Sequence, residues 1–126
     1  MTEKPLALII EDNEDQNLVF TKALEQAGFA TESITDGLMA MSRLGKVAPA
    51  LVILDLHMPG INGGLLLREI RNDPLTAKTH VIIATADPEF AAKLEAQVDV
   101  VLIKPVSFSQ LSKLARLFNA TNLGPD

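Results

Sequence analysis

Four short runs along the chain are apolar without alternation: Leu6 to Ile10, Leu51 to Leu54, Val81 to Ala84 and Val100 to Ile103. Runs this short, rich in β-branched residues and lacking an in/out rhythm, predict strands buried on both faces of a parallel sheet. A fifth stretch, FATESIT at 29–35, alternates more and predicts an edge strand. Between these runs the apolar spacing becomes helical. Phe20, Ala23, Leu24 and Ala27 share one face, and Gly28 supplies a C-terminal stop. Leu38, Met41 and Leu44 recur at i+3 between Asp36 and Gly45, which predicts the inner face of a second helix. Asn62 is placed to cap a third helix carrying Leu66, Leu67 and Ile70, ended by Pro74. DPEF at 87–90 gives a fourth helix its cap, first-turn proline and early acid. SFSQ at 107–110 forms a capping box ahead of Leu111, Leu114 and Phe118. The order is (βα)5, an α/β fold with a doubly wound five-stranded parallel sheet covered by helices on both sides.

Size and composition narrow the class. At 126 residues the chain is expected to be one domain, 1–126, with a core over about 5–119 and a frayed tail, NATNLGPD. It is 48% hydrophobic and 21% charged, ordinary proportions for a globular domain. The absence of cysteine excludes disulfides and thiolate metal sites. Eleven Lys+Arg against 16 Asp+Glu give a net charge of −5, the wrong sign for a nucleic-acid binder that neutralises phosphates. MTEKPLALII carries too short an apolar run for a signal peptide or membrane span, so a cytoplasmic location without a membrane partner is expected. Met1 lies a few residues before the first strand, as a natural start would.

The polar residues then fall at one place. Strand one ends at Glu11 and Asp12, strand three at Asp55, strand four at Thr85 and strand five at Lys104. Taken singly, each has an ordinary reading as a cap, a β-branched strand end or a surface lysine. In an open parallel sheet, however, the carboxyl ends of all strands line one edge, where ligands bind at the switch in strand order. Three acids, a hydroxyl and an ammonium are therefore expected in one crevice. Asp55 makes the point sharply, because a carboxylate closing the buried run Leu51 to Leu54 is costly unless something pairs with it.

Electrostatics says what such a cluster requires. Two carboxylates about 5 Å apart repel by roughly 3 kcal/mol at an effective dielectric near 20. Lys104 cancels one of the three charges, and a divalent cation would cancel the rest. Oxygen-only ligands favour Mg²⁺ or Mn²⁺ over zinc. A carboxylate beside such a metal, an ammonium and a hydroxyl suits in-line attack on a phosphoryl group, giving an aspartyl phosphate.

Four motifs, IIEDN at 9–13, LDLHMPGINGG at 54–64, ATAD at 84–87 and IKPVSF at 103–108, stand in order at these strand ends. With them the sequence resembles a response-regulator receiver domain, the phospho-acceptor half of two-component signalling, over residues 5–119. The resemblance implies a flavodoxin-like sheet of strand order 2-1-3-4-5. It implies that Asp55 accepts a phosphoryl group from a sensor histidine kinase or phosphotransfer protein. Glu11, Asp12 and Asp55 would hold Mg²⁺ with the backbone carbonyl of His57. Thr85 would hydrogen-bond the phosphate and relay the change, and Lys104, followed by a cis peptide to Pro105, would pair with it. Such a protein is no enzyme acting on others. It catalyses its own phosphorylation and dephosphorylation and passes the signal to a downstream protein.

Departures from the family pattern fall elsewhere. The position three before the lysine, often aromatic in the family, is Val101, and the segment from Thr85 to Lys104 is short enough to truncate the fourth helix. His57 and Asp87 each stand two places after a site residue, at positions that tune phosphate lifetime in the family. Three rival classes have distinguishing features. A flavodoxin-type electron carrier wants a hydroxyl- and glycine-rich loop and stacking aromatics, where this chain has EDNED and neither Tyr nor Trp. A haloacid-dehalogenase-like phosphatase wants Asp-x-Asp, where this chain has Asp55-Leu56-His57. A phosphorylation-independent receiver-like adaptor would bind neither Mg²⁺ nor beryllofluoride.

Overall fold

The computed structural model describes residues 3–119. Its elements run β1 (Leu6–Ile10), α1 (Glu14–Gln26), β2 (Ala30–Ile34), α2 (Gly37–Leu44), β3 (Leu51–Leu54), β4 (His57–Met58) and β5 (Ile61–Asn62). They continue with α3 (Gly63–Asn72), β6 (His80–Thr85), α4 (Pro88–Leu94), a 3-10 turn (Glu95–Gln97), β7 (Val100–Ile103) and α5 (Phe108–Arg116). Five strands pair in parallel in the order β2-β1-β3-β6-β7. Counting only these sheet strands, that is the expected 2-1-3-4-5. The two-residue strands β4 and β5 form a separate antiparallel ribbon between β3 and α3, which the apolar pattern did not announce.

Both faces of the sheet are covered, so β3 buries every side chain and β1 and β6 bury all but their first, Leu6 and His80. Leu8, Val52 and Val81 face a core completed by α2, α3 and α4, including Ala40, Leu44, Leu66, Ile70 and Ala91. Ala7, Ile9, Ile53 and Ile82 face the opposite core, filled by Phe20, Ala23, Leu24, Leu111 and Ala115 from α1 and α5. The predicted caps of three helices are in place. Asn62 accepts the Gly64 amide at 2.6 Å, Asp87 that of Phe90 at 3.0 Å and Ser107 that of Gln110 at 3.0 Å. Gly28, at φ +98°, makes the turn after α1 in the left-handed region that side chains avoid.

Three expectations need correction. Val100 to Ile103 is not buried on both faces: it is the last strand of the sheet and Ile103 is 46% exposed. Leu38 does not share the inner face of α2, being 68% exposed, because the helix turns Gly37, Ala40 and Leu44 inward instead. Asn119, placed in the frayed tail, is fully buried and donates to the Ala27 carbonyl at 2.9 Å. The rest of that tail lies outside the described residues. The fourth helix is indeed short, with seven residues before the 3-10 turn.

Candidate functional site

The sheet register sets the site. Ile10 pairs with Leu54, so the next residues, Glu11 and Asp55, leave adjacent strands side by side at the β1/β3 switch in strand order. The Asp55 amide continues the ladder by donating to the Ile10 carbonyl at 3.0 Å. On the other side Thr85 pairs with Ile103, and the Lys104 amide donates to the Thr85 carbonyl at 2.8 Å. Backbone pairing thus carries all these side chains to the carboxyl edge.

There Glu11, Asp12 and Asp55 each offer a carboxylate oxygen, all within 4.8 Å of one another. Glu11 and Asp55 are buried and Asp12 half-buried. The Lys104 ammonium lies 2.7 Å from Glu11 Oε1 and 3.6 Å from Asp55 Oδ2. Glu11 Oε2 accepts the Asn13 amide at 3.1 Å, and Asp55 Oδ1 accepts that of His57 at 3.2 Å. Burial dominates at Glu11 and pushes its carboxyl up to about 7, against the pull of Lys104 and the Asn13 amide. The sum of three full negative charges therefore needs amending, because a proton can neutralise Glu11 in the cation-free protein.

Thr85 is fully buried, and its hydroxyl accepts the Asp87 amide at 3.1 Å. Asp87 is also the cap of α4, and its Oδ2 lies 2.7 Å from His57 Nε2. The Phe90 amide, then His57, hold the Asp87 carboxyl below its usual range. The His57 side chain therefore reaches towards α4, while His57 remains, through β4, two residues from Asp55. The Lys104–Pro105 peptide is cis.

Gly63 went unremarked in the sequence. A Cβ there would lie 2.6 Å from Leu56 Cα and 2.9 Å from the Asp55 carbonyl oxygen, so only glycine lets α3 start against the segment that carries Asp55. The GG pair after Asn62 was the available signal. Asn17, fully enclosed on α1, was also missed, because its Nδ2 donates to backbone carbonyls that leave no mark in sequence.

Residues 7–116 match the family described as the response regulator receiver domain. The chain is 36% identical over 114 residues to the transcriptional regulatory protein HprR of Escherichia coli K12, covering 87% of this chain but only 48% of that protein. It is 31% identical over 119 residues to the probable methanogenesis regulatory protein FilR2 of Methanothrix harundinacea, covering 86% of this chain and 77% of that one. Its fold is similar to the receiver domain of the sensor histidine kinase PA1611 from Pseudomonas aeruginosa, solved with magnesium coordinated in the active site cleft. That superposition has a TM-score of 0.81 at 22% identity and covers 91% of this chain and 97% of the other.

Proposed function

Because the chain belongs to the response regulator receiver domain family, we propose that it is a phospho-acceptor switch in which Asp55 takes a phosphoryl group from a sensor histidine kinase or phosphotransfer protein. The observation that carries this reading is three carboxylates within 4.8 Å of one another, with the Lys104 ammonium beside two of them. Glu11, Asp12 and Asp55, with the His57 carbonyl, are the proposed ligands of Mg²⁺. Their all-oxygen character fits that ion, and Mn²⁺ shares the preference. The magnesium in the cleft of the PA1611 receiver supports the assignment.

When bound, the cation would neutralise the acids and the phosphoryl oxygens. The chain's own residues do the rest. An Asp55 oxygen forms a bond to phosphorus as the phosphorus–nitrogen bond of the donor phosphohistidine breaks, its electron pair leaving with the imidazole. Lys104 faces the charge that arrives. Thr85, whose hydroxyl already accepts the Asp87 amide, keeps a proton to donate to a phosphoryl oxygen. The reaction ends on the chain itself, so the protein turns over its own phosphoryl group and no separate substrate. Output is proposed as altered docking of a downstream protein in the cytoplasm, with no nucleic acid contacted through this domain. Among the described residues no helix is long and apolar enough to cross a membrane.

Beryllofluoride, a stand-in for a carboxylate-bound phosphoryl group, tests the reading. With Mg²⁺ it should raise the melting temperature through ligand linkage, and Asp55→Asn should remove the response. No response in the wild type, or an undiminished one in Asp55→Asn, contradicts the proposal.

A further inference from the structure

Asn17 lies on α1, one turn after its cap Asn13, and is 2% exposed. An amide side chain this deeply enclosed must spend its hydrogen-bonding capacity inside the protein. Its Nδ2 lies 2.9 Å from the carbonyl oxygen of Glu11 and 3.2 Å from those of Ile9 and Ile34. Its Oδ1 accepts the hydroxyls of Thr21, at 3.1 Å, and Ser33. Two N–H protons are thus shared among three carbonyls and both lone pairs of the oxygen are used.

Those carbonyls belong to the carboxyl ends of β1 and β2, where the strand ladder runs out. The Ile34 carbonyl also accepts the Glu11 amide at 3.0 Å, so the Glu11 backbone is held on both sides. The Glu11 carbonyl and the Asp12 nitrogen share one planar peptide. Whatever orients that carbonyl also orients the departure of Asp12 from the strand.

We propose that Asn17 is a positioning residue for the acidic cluster. It locks the peptide between Glu11 and Asp12 so that both carboxylates meet Asp55 at the separation a divalent cation requires. The proposal rests on the metal reading above. Asn17 itself touches neither ion nor phosphate. The need for such a lock follows from the crowding of Asp12 against Asp55. Their carboxylate oxygens lie within 4.8 Å of each other, and their repulsion would turn Asp12 out towards water if its peptide were free to rotate. A cation binding a loosened loop would have to reorder it first, and affinity would fall although every ligand remained. Asparagine suits the place where aspartate would not, since a carboxylate there would face three carbonyl oxygens.

The test compares Asn17→Leu with Phe20→Leu, a core substitution on the same helix, in the complete chain. Mg²⁺ is titrated against amide shifts at a temperature where each variant is folded. Asn17→Leu should raise the Mg²⁺ dissociation constant by about tenfold or more, as loss of outer-shell support does, while Phe20→Leu stays within about twofold of wild type. Should Asn17→Leu not fold, Asn17→Ser carries the same expectation. A folded Asn17 variant with wild-type affinity overturns the proposal, and so does an equal weakening by Phe20→Leu, which would make the effect one of general stability. A wild-type chain that does not bind Mg²⁺ overturns the metal reading itself, and with it this one.

Discussion

Glu11 is the residue at which charge and burial are most directly opposed. Its carboxyl is held at about 7 against 4.5 in the unfolded chain, first by burial. Between those values the folded chain keeps a proton that the unfolded chain has released. Without a divalent cation, stability should therefore fall as pH rises from about 4.5 to about 7 and level off above it, as thermal melts across that range would show. A cation in the cluster competes with the same proton, so binding should tighten by about tenfold between about pH 6 and about pH 8. Mg²⁺ titrations at the two pH values check this, and equal affinities would contradict a proton on Glu11 that competes with the cation. Gly63 is governed by space instead. Gly63→Ala would press on the backbone of Leu56 and Asp55, at an overpacking cost of about 1–3 kcal/mol. Denaturant melts measure that cost, and an unchanged midpoint would show that the contact can relax. The sequence revealed the candidate acids because strand ends are legible. It did not reveal Glu11's proton or Gly63's contact, because both depend on what the fold places around them.

At the scale of elements, α4 stands apart. Its seven residues are too few to hold a helix in water alone, so its Asp87 cap and its packing on the sheet matter more than propensity. The cap is tied to the Thr85 hydroxyl through its amide and to His57 through its carboxylate. Val101, β-branched and short, is a poor lever on β7. The switch should therefore be expressed from Thr85 through the 3-10 turn that ends at Gln97. Beryllofluoride should shift those amides strongly, and Thr85→Val should suppress the shifts while leaving acylphosphate formation at Asp55. Shifts confined to the acidic cluster would contradict the relay. The helix α2 shows the limit of reading by period. Leu38, Met41 and Leu44 fit an i+3 spacing, yet Ala40 and Gly37 are the residues turned inward with Leu44. A three-residue spacing drifts around a helix of 3.6 residues per turn, and a small residue where helix meets ribbon carries no hydrophobic signal. Leu44→Ala should cost about 2–5 kcal/mol in denaturant melts and Leu38→Ser less than about 0.5, and the reverse ranking would contradict the observed face.

Across the whole molecule, the unalternating runs announced a doubly covered sheet, and the hydrophobic pattern of the central strands was enough to place it. Edges were harder to read. Val100 to Ile103 is as apolar as a central strand but lies last in the order, and position in a sheet is a property of pairing rather than composition. Asn119 looked like part of a polar tail, yet its amide reaches back to Ala27 across most of the chain. The site was legible in its residues because each stands where a strand stops, whereas the network that holds them, through Asn17 and Asp87, closes only in three dimensions. The central claim is that this edge makes Asp55 a phosphoryl acceptor, and intact-protein mass measurement after incubation with acetyl phosphate tests it most directly. With Mg²⁺ the chain should gain the mass of one phosphoryl group, labile to base. The gain should vanish with chelator and in Asp55→Asn. Full labelling of Asp55→Asn, or none of the wild type with Mg²⁺ present, would contradict it.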